Sequence, residues 1–204
     1  MWGIPVGILG GMETMNEFIE ILKSKPGIDY TMSEGKISVY GNLDLSYTYI
    51  EKLPDGLTVS GNLVLYDTDI EELPDGLTVS GSLDLRYTPI EKLPDGLTVG
   101  GSLILSDTPI KKLPGGLTVD GDLKLDCTDI EELPDDLTVG GSLDLCHTPI
   151  KKLPDGLTVN GNLDLSCTDI EELPAGLTVN GNLDLYDTTI KKLVNLTVAG
   201  SLLF

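Results

Sequence analysis

The sequence contains few basic residues. Lys and Arg together number 13, against 33 Asp and Glu, so the formal net charge is −20 and the pI is near 4.1. Such an acidic surface repels phosphate polymers and anionic membranes over a range set by the ionic strength. We therefore expect neither direct nucleic-acid binding nor membrane attachment. A basic protein partner fits the charge, and so does a role of the charge in solubility alone.

Cysteine is also scarce, and long apolar runs are missing. Three cysteines are an odd number, which favours reduced thiols in the cytoplasm over a disulfide framework. The apolar start of the chain is too short, and too interrupted by Gly and Pro, to span a bilayer, and it has no basic export signal. We expect residues 1–11 to form a flexible leader.

From Ile37 onward the sequence repeats every twenty residues. The unit that starts at Leu57, called a rung here, reads LTVSGNLVLYDTDIEELPDG, and eight rungs share the same columns of residues. These columns start at Gly41, Leu43, Leu45, Thr48, Ile50 and Leu53. One rung cannot bury its own large apolar side chains, so the repeat predicts a solenoid in which stacked rungs share one interior.

Each rung contains two short segments with the alternation of a β-strand. Leu57 and Val59 flank one polar residue, and Leu63 and Leu65 flank another. We expect two narrow parallel sheets and a flat, straight solenoid over residues 37–204. Before it, Glu13 to Lys23 has the apolar stripe of an amphipathic helix, so residues 12–36 are predicted to be a helical cap.

One string in each rung carries a family resemblance. Leu63-x-Leu65-x-x-Thr68-x-Ile70-x-x-Leu73-Pro74 resembles the leucine-rich repeat, LxLxxNxLxxLP, and the short period with LPxxL is similar to bacterial repeats of the type III secreted effector kind. The resemblance covers Ile37 to Phe204. It implies an α/β repeat solenoid, mainly β, built as a right-handed leucine-rich-repeat-like stack with parallel sheets and an N-terminal capping helix. It also implies a cytoplasmic protein, or one delivered to a host cell if it is effector-like.

The sequence departs from the family by placing Thr where Asn is usual. We expect this Thr column to point inward and to hydrogen-bond the backbone of adjacent rungs. From Lys111 onward the charge at the turns alternates from rung to rung, as in Lys111-Lys112 followed by Glu131-Glu132. Rungs about 4.8 Å apart would place these opposite charges side by side, which discourages a slip by one rung.

Variable residues concentrate on the Leu-x-Leu segment and the turn after it. Tyr and Arg are frequent anchors of protein interfaces, so we expect a partner-binding face there; relaxed variation at solvated positions is the alternative. The candidate partner-binding residues are Tyr47, Tyr66, Asp84, Arg86, Tyr87, Asp126, Asp144, Asp164, Asp184 and Tyr186.

A metal site is a weak candidate. Cys127, His147 and Cys167 occupy one column on three consecutive rungs, where the outer two lie about twice 4.8 Å apart. Three ligands on a line make a poor tetrahedron for zinc. No phosphate-binding loop is present, and the Asp columns offer no apolar pocket that would raise a pKa. We therefore expect no catalytic site, no metal and no cofactor.

Three functions remain open, and none of them is enzymatic. The first is a protein–protein interaction module that uses the repeat sheet. The second is an acidic DNA-mimic inhibitor of a nucleic-acid-binding protein, formed by the stacked Asp55, Asp75, Asp95, Asp135 and Asp155. The third is an ice or crystal-surface binder that uses the Thr58 to Thr178 column. The chain stops in mid-rung at Phe204, which predicts a homodimer through the uncapped C-terminal end, or a truncated sequence.

Overall fold

The computed structural model describes residues 6–190, 193 and 196–204. It begins with helix α1 (Val6–Ser24), followed by an antiparallel hairpin of β1 (Asp29–Ser33) and β2 (Lys36–Tyr40). From β2 onward the chain winds into a β-solenoid of about 8 turns. The predicted solenoid, mainly β with parallel sheets and an N-terminal helix, is confirmed.

Strands β3 to β19 are two residues long and alternate along the chain between two sheets. Sheet A contains β1, β2 and the even-numbered strands Thr58–Val59 (β4), Thr78–Val79 (β6), Thr98–Val99 (β8), Thr118–Val119 (β10), Thr138–Val139 (β12), Thr158–Val159 (β14), Thr178–Val179 (β16) and Thr197–Val198 (β18). Sheet B contains Leu43–Asp44 (β3), Leu63–Val64 (β5), Leu83–Asp84 (β7), Leu103–Ile104 (β9), Leu123–Lys124 (β11), Leu143–Asp144 (β13), Leu163–Asp164 (β15), Leu183–Asp184 (β17) and Leu202–Leu203 (β19).

The sheets are held in register by the repeat. Parallel neighbours pair residues twenty positions apart, as Leu63 does with Leu83, and the last pair, Leu183 with Leu202, takes up the one-residue deletion. The predicted second sheet at Leu-Thr-Val is therefore confirmed. Between the sheets the apolar columns are buried; Leu63, Leu65 and Ile70, for example, have no exposed surface. Burial of each such side chain is worth about 1.5–3 kcal/mol before the entropy of ordering is subtracted.

Glycine serves two different purposes at the corners. Gly56 has a φ of 65°, which relieves the turn after Asp55. Gly61 has no positive φ, but a Cβ there would lie 2.5 Å from the carbonyl carbon of Gly41. The column from Gly61 to Gly181 therefore lets successive rungs approach closely.

The Thr column is buried as predicted, but its predicted partner is wrong. Thr68 and Thr128 are 4% and 3% exposed. Each Thr hydroxyl donates to the Leu carbonyl three residues earlier in its own rung, as from Thr128 Oγ1 to Leu125 O at 2.6 Å. The turn after sheet B already places this carbonyl within hydrogen-bonding distance of the Thr hydroxyl, so the hydroxyl needs no partner from another rung.

The N-terminal cap differs from its prediction in two ways. Helix α1 begins at Val6, so residues 6–11 of the predicted leader are helical; residues 1–5 lie outside the described residues. Once a helix has nucleated, each added residue gains a hydrogen bond, and this outweighs the local glycines. The cap also includes β1, which covers the first edge of sheet A, while Phe18 and Leu22 of the helix join the core.

At the other end, β18 and β19 are the last strands of the two sheets, and Leu203 and Phe204 are exposed. The predicted homodimer through this end stays a prediction. Among the described residues, no helix is long and apolar enough to cross a membrane.

Candidate protein-binding face

The sheet B face is the surface formed by the outer side of sheet B and the turn that follows each of its strands. In the first rung it contains residues 44, 46 and 47, and the equivalent residues follow in steps of twenty. Leu43 and Leu45 alternate with them and are fully buried. All the predicted partner-binding residues lie at these positions.

The turn on this face has an unusual backbone. Leu45 to Thr48 form a hydrogen-bonded turn in which Thr48 N donates to Leu45 O at 3.3 Å. The third residue of the turn is left-handed in every one of the eight rungs, with φ between 52° and 58°, although none is glycine. The residues at this position are Tyr47, Asp67, Tyr87, Asp107, Cys127, His147, Cys167 and Asp187. A non-glycine residue there is strained, and the conformation directs its side chain out of the sheet.

Aspartates at the first position of the face stabilise this turn. Asp84 Oδ1 accepts from Arg86 N at 3.1 Å, and Asp144 Oδ1 accepts from Cys146 N at 3.2 Å. The same bond to the backbone two residues on is made by Asp44, Asp164 and Asp184. Four predicted partner-binding residues, Asp84, Asp144, Asp164 and Asp184, therefore also have a structural role, as short polar side chains commonly do at turns.

A ladder of polar side chains runs along the edge of the face. Asn62 N donates to Asn42 Oδ1 at 2.9 Å, and Ser82 N donates to Asn62 Oδ1 at 2.8 Å. The ladder continues to Ser201, whose N donates to Asn182 Oδ1. This column performs the bonding between rungs that the sequence analysis assigned to Thr. The signal was present, since the column contains only Asn, Ser and Asp, all of which carry an acceptor oxygen.

Four predicted residues form one contiguous group, the aromatic–Arg cluster, which consists of Tyr47, Tyr66, Arg86 and Tyr87. The rings of Tyr47 and Tyr66 meet edge to face with centroids 5.2 Å apart, and those of Tyr66 and Tyr87 do so at 5.3 Å. Arg86 Cζ lies 5.1 Å from the centroid of the Tyr66 ring. Its Nη2 donates to Asp84 Oδ2 at 2.6 Å, and its Nε donates to Oδ1 at 3.0 Å. The guanidinium is therefore fixed over the ring.

The cluster could not be predicted from any single column of the repeat. Tyr47 N donates to Tyr66 O, so each turn residue lies beside a residue nineteen positions later. This offset brings two columns together: Tyr47 and Tyr87 come from one, and Tyr66 and Arg86 from the other. Tyr47 and Tyr87 remain 70% and 51% exposed.

A shallow cavity of about 310 Å³ adjoins the cluster on the same face. It is lined by Arg86, Tyr87, Ile104, Ser106, Asp107, Lys124, Asp126 and Asp144. Asp126, a predicted site residue, accepts a hydrogen bond from Ser106 Oγ at 2.5 Å. Ile104, Asp107 and Lys124 were not among the predicted site residues, because their association depends on which rungs are neighbours across the turn.

Ionisable groups around this cavity lie close to several carboxylates. The pKa of Asp144 is raised, first because it is partly buried and then because Asp126 and Asp164 are close. The pKa of the Cys127 thiol is raised by burial and by Asp107, Asp126 and Asp144. The pKa of Tyr87 is raised by its hydrogen bond to Asp107. All three shifts mean that an additional negative charge is disfavoured here.

The structure does not bring the weak metal candidates together. Among the described residues, no group of three or more His, Cys, Asp and Glu side chains could hold a metal ion. Cys127, His147 and Cys167 follow one another along the turn column. The raised pKa of the Cys127 thiol also opposes the thiolate form that binds metals.

Three predicted residues, Asp164, Asp184 and Tyr186, lie apart from the aromatic–Arg cluster and from the cavity beside it. Tyr186 is 61% exposed but follows Arg86 by five rungs, a distance of roughly 24 Å at the usual strand spacing. Asp184 lies on the same rung, where its carboxylate accepts from Tyr186 N. The face therefore has a compact aromatic part near the N-terminus and a more polar part beyond it.

Two larger grooves lie on the turn surface formed by the Leu-Pro segments. They measure about 540 Å³ and 660 Å³ and are lined mainly by Glu, Asp, Lys, Leu and Pro. The same residue types recur in most rungs, so these grooves are corrugations of the stack. On the same turn surface, charged residues pair between rungs, as Lys112 Nζ does with Glu132 Oε1 at 2.8 Å, in agreement with the predicted alternation of charge.

Comparison with known proteins returned no family model that matches the chain and no curated protein that matches it.

Proposed function

We propose that this protein is a non-enzymatic protein–protein interaction module of the leucine-rich-repeat type, which binds another protein on the sheet B face. The aromatic–Arg cluster carries the proposal. Tyr and Arg are the residues that most often dominate the binding free energy of protein interfaces. Here three Tyr rings and one Arg hold each other in place before any partner binds.

Preorganisation is what separates this cluster from scattered exposed side chains. Arg86 is fixed by two bonds to Asp84, and the strained turns set the directions of Tyr47 and Tyr87. These side chains then lose less conformational entropy when a partner binds. The net charge of −20 favours a basic partner and disfavours nucleic acid. A cytoplasmic location, or delivery to a host cell, follows from the resemblance to bacterial effector repeats.

Capture from a host lysate tests the proposal when it is compared with variants. The test variant carries Tyr66→Ala, Arg86→Ala and Tyr87→Ala; the matched control carries Tyr40→Ala and Tyr49→Ala, which remove exposed rings outside the cluster. A partner retained by the wild type and the control but lost by the test variant supports the proposal. Equal retention by all three proteins contradicts it, provided that circular dichroism shows the test variant to be folded.

A DNA-mimic inhibitor is the second candidate, and charge density favours it. Eight rungs at about 4.8 Å span roughly 40 Å, so a net charge of −20 amounts to roughly one negative charge per 2 Å, against about one per 1.7 Å for duplex DNA. Such a mimic would bind a basic nucleic-acid-binding protein mainly through charge. Its binding would weaken sharply with added salt and would be indifferent to the Tyr and Arg substitutions.

A further inference from the structure

We propose that the cavity beside the aromatic–Arg cluster receives an arginine or lysine side chain of the partner, so that the partner presents a basic segment to the middle of the sheet B face. This inference rests on the proposed function, because it names what binds next to the cluster.

The charges that line the cavity carry the inference. Asp107, Asp126 and Asp144 come from three successive rungs and line the same space. Arg86 also lines it, but its charge is already matched by Asp84 at 2.6 Å. Lys124 is exposed and forms no ion pair within the described part of the chain. Three carboxylates thus face one unmatched cation, which leaves the cavity short of positive charge.

The shape and the wall of the cavity suit one long basic side chain. A volume of about 310 Å³ is at the lower end of the range for ligand pockets, too small for a helix. Tyr87 forms part of the wall, and an aromatic ring attracts a cation through its face. The chain already makes this contact internally, where Arg86 lies over Tyr66. A guanidinium or ammonium group at this place would meet both a ring and carboxylates.

Continuity with the aromatic–Arg cluster argues for a protein segment as the occupant. Tyr87 belongs both to the cluster and to the cavity wall, so a partner seated on the cluster continues directly into the cavity. The raised pKa of Asp144 and of Cys127 reflects, after burial, the neighbouring carboxylates, and a bound cation would relieve that repulsion. A small polyamine is the alternative occupant that the experiment separates.

Peptide binding to paired variants tests the inference. Fluorescein-labelled octa-arginine is titrated with the protein at about 150 mM salt, where long-range attraction is screened. The cavity variant carries Asp126→Asn and Asp144→Asn; Asn keeps the acceptor oxygens used by Ser106 and by Cys146 N. The matched control carries Asp75→Asn and Asp155→Asn on the exposed turn surface, with the same change in net charge. We expect about tenfold weaker binding for the cavity variant and about twofold or less for the control.

A substitution that removes a positive charge from the cavity provides a second test. Lys124→Gln removes the unmatched cation and is expected to strengthen octa-arginine binding about threefold, while Lys152→Gln on the turn surface leaves it nearly unchanged. If the paired variants behave alike, binding follows net charge alone and the inference is wrong. If spermine, but not octa-arginine, depends on Asp126 and Asp144, the cavity is a polyamine site and the inference is again wrong.

These outcomes are separable from failure of the proposed function. If a lysate partner is lost with Tyr66→Ala and Tyr87→Ala but retained by the Asp126→Asn and Asp144→Asn variant, the interaction face is supported. That result would contradict only the basic side chain as the occupant of the cavity. A partner indifferent to the Tyr substitutions contradicts the proposed function itself.

Discussion

Left-handed residues in the turn after sheet B set the direction of the exposed side chains. Eight non-glycine residues share this conformation, which costs on the order of 1 kcal/mol for each. Seven of the eight turns recover part of that cost, because the amide of the strained residue donates to the next rung, as Cys127 N does to Cys146 O at 3.0 Å. The backbone strain therefore belongs to the surface that we propose for binding.

Relief of this strain should stabilise the protein. Cys127→Gly is expected to raise the free energy of unfolding by up to about 1 kcal/mol, because glycine adopts a positive φ without a steric penalty. Cys127→Val should lower it, since a β-branched residue tolerates this conformation least. Urea denaturation of both variants measures the difference. Equal stability of the two would show that the turn changes its conformation.

The ladder of polar side chains offers a second test at single residues. Asn162 Oδ1 accepts from Asn182 N at 2.8 Å, so Asn162→Ala leaves that amide without its partner. We expect a loss of about 1 kcal/mol in the free energy of unfolding. Asn162→Ser keeps an acceptor, as Ser102 and Ser142 do elsewhere in the column, and should lose much less. A loss of equal size in both variants would contradict a role for the hydrogen bond.

Asp144 should make stability depend on pH. Its pKa is raised above 3.8 in the folded protein, so the fold favours the protonated carboxyl. Its contribution to the free energy of unfolding is therefore fully present below pH 3.8 and is lost as the pH rises through the raised pKa. Asp144→Asn should therefore be more stable than the wild type near pH 7, and the gain should shrink towards about pH 3. Asp155→Asn, with the same change in net charge on the turn surface, is the control. Urea denaturation midpoints of the variants and the wild type across this pH range test the prediction. A gain in stability of Asp144→Asn that does not depend on pH would contradict it.

At the scale of the strand and its corner, close approach of the backbone decides which residue fits. A Cβ at Gly101 would lie 2.7 Å from Gly81 C and 2.7 Å from Ser82 N, both in the backbone of the previous rung. Gly115 differs, because the nearest atom to its Cβ would be Asp136 Oδ2 at 4.0 Å. The two glycines have the same chemistry but opposite roles in the stack.

Alanine substitution should separate these roles. Gly101→Ala is expected to lower the free energy of unfolding by about 1–3 kcal/mol, because the neighbouring rung must shift. Gly115→Ala should raise it by about 0.4–1 kcal/mol through the unfolded chain. Hydrogen exchange of the amides in the rungs around Gly101 would locate the damage. A neutral Gly101→Ala would show that the rungs can separate without loss.

The whole molecule is a stack that concentrates negative charge along one axis. Its net charge is −20, and within the described part of the chain few carboxylates are paired between rungs, as Glu132 is with Lys112 and Glu72 with Lys92. Self-repulsion of this kind lowers the stability of a compact state and keeps it soluble. The same field would attract the basic segment that we propose as partner.

Screening should therefore stabilise the free protein while it weakens binding. We expect the urea midpoint to rise as NaCl increases from about 10 mM to about 300 mM, because the Debye length falls below the spacing of distant charges. Binding of a basic peptide should weaken over the same range. A midpoint that is insensitive to salt would show that the carboxylates do not repel one another appreciably in the folded state.

The positions of the apolar side chains were predictable because they depend on local periodicity. Leu63 and Leu65 alternate with polar residues, and the twenty-residue step alone fixes their stacking, so the two sheets and the buried Thr68 could be predicted. The N-terminal end of helix α1 was harder to predict, since the extension of the helix to Val6 depends on the cooperativity of helix formation rather than on the apolar pattern. Strand β1 was missed because an edge strand has few buried residues to reveal it.

The sequence by itself determined the solenoid, its register and its charge, because each rung repeats the same pattern of burial and turn. Only the tertiary structure decided which oxygen each Thr bonds, which column links the rungs, and which exposed residues meet. Those outcomes depend on the left-handed turn and on the nineteen-residue hydrogen-bond offset, which bring Tyr47 beside Tyr66 and Tyr87 beside the acidic cavity. The contacts between rungs are set by the three-dimensional geometry of the backbone, and this geometry cannot be predicted from any single column of the sequence.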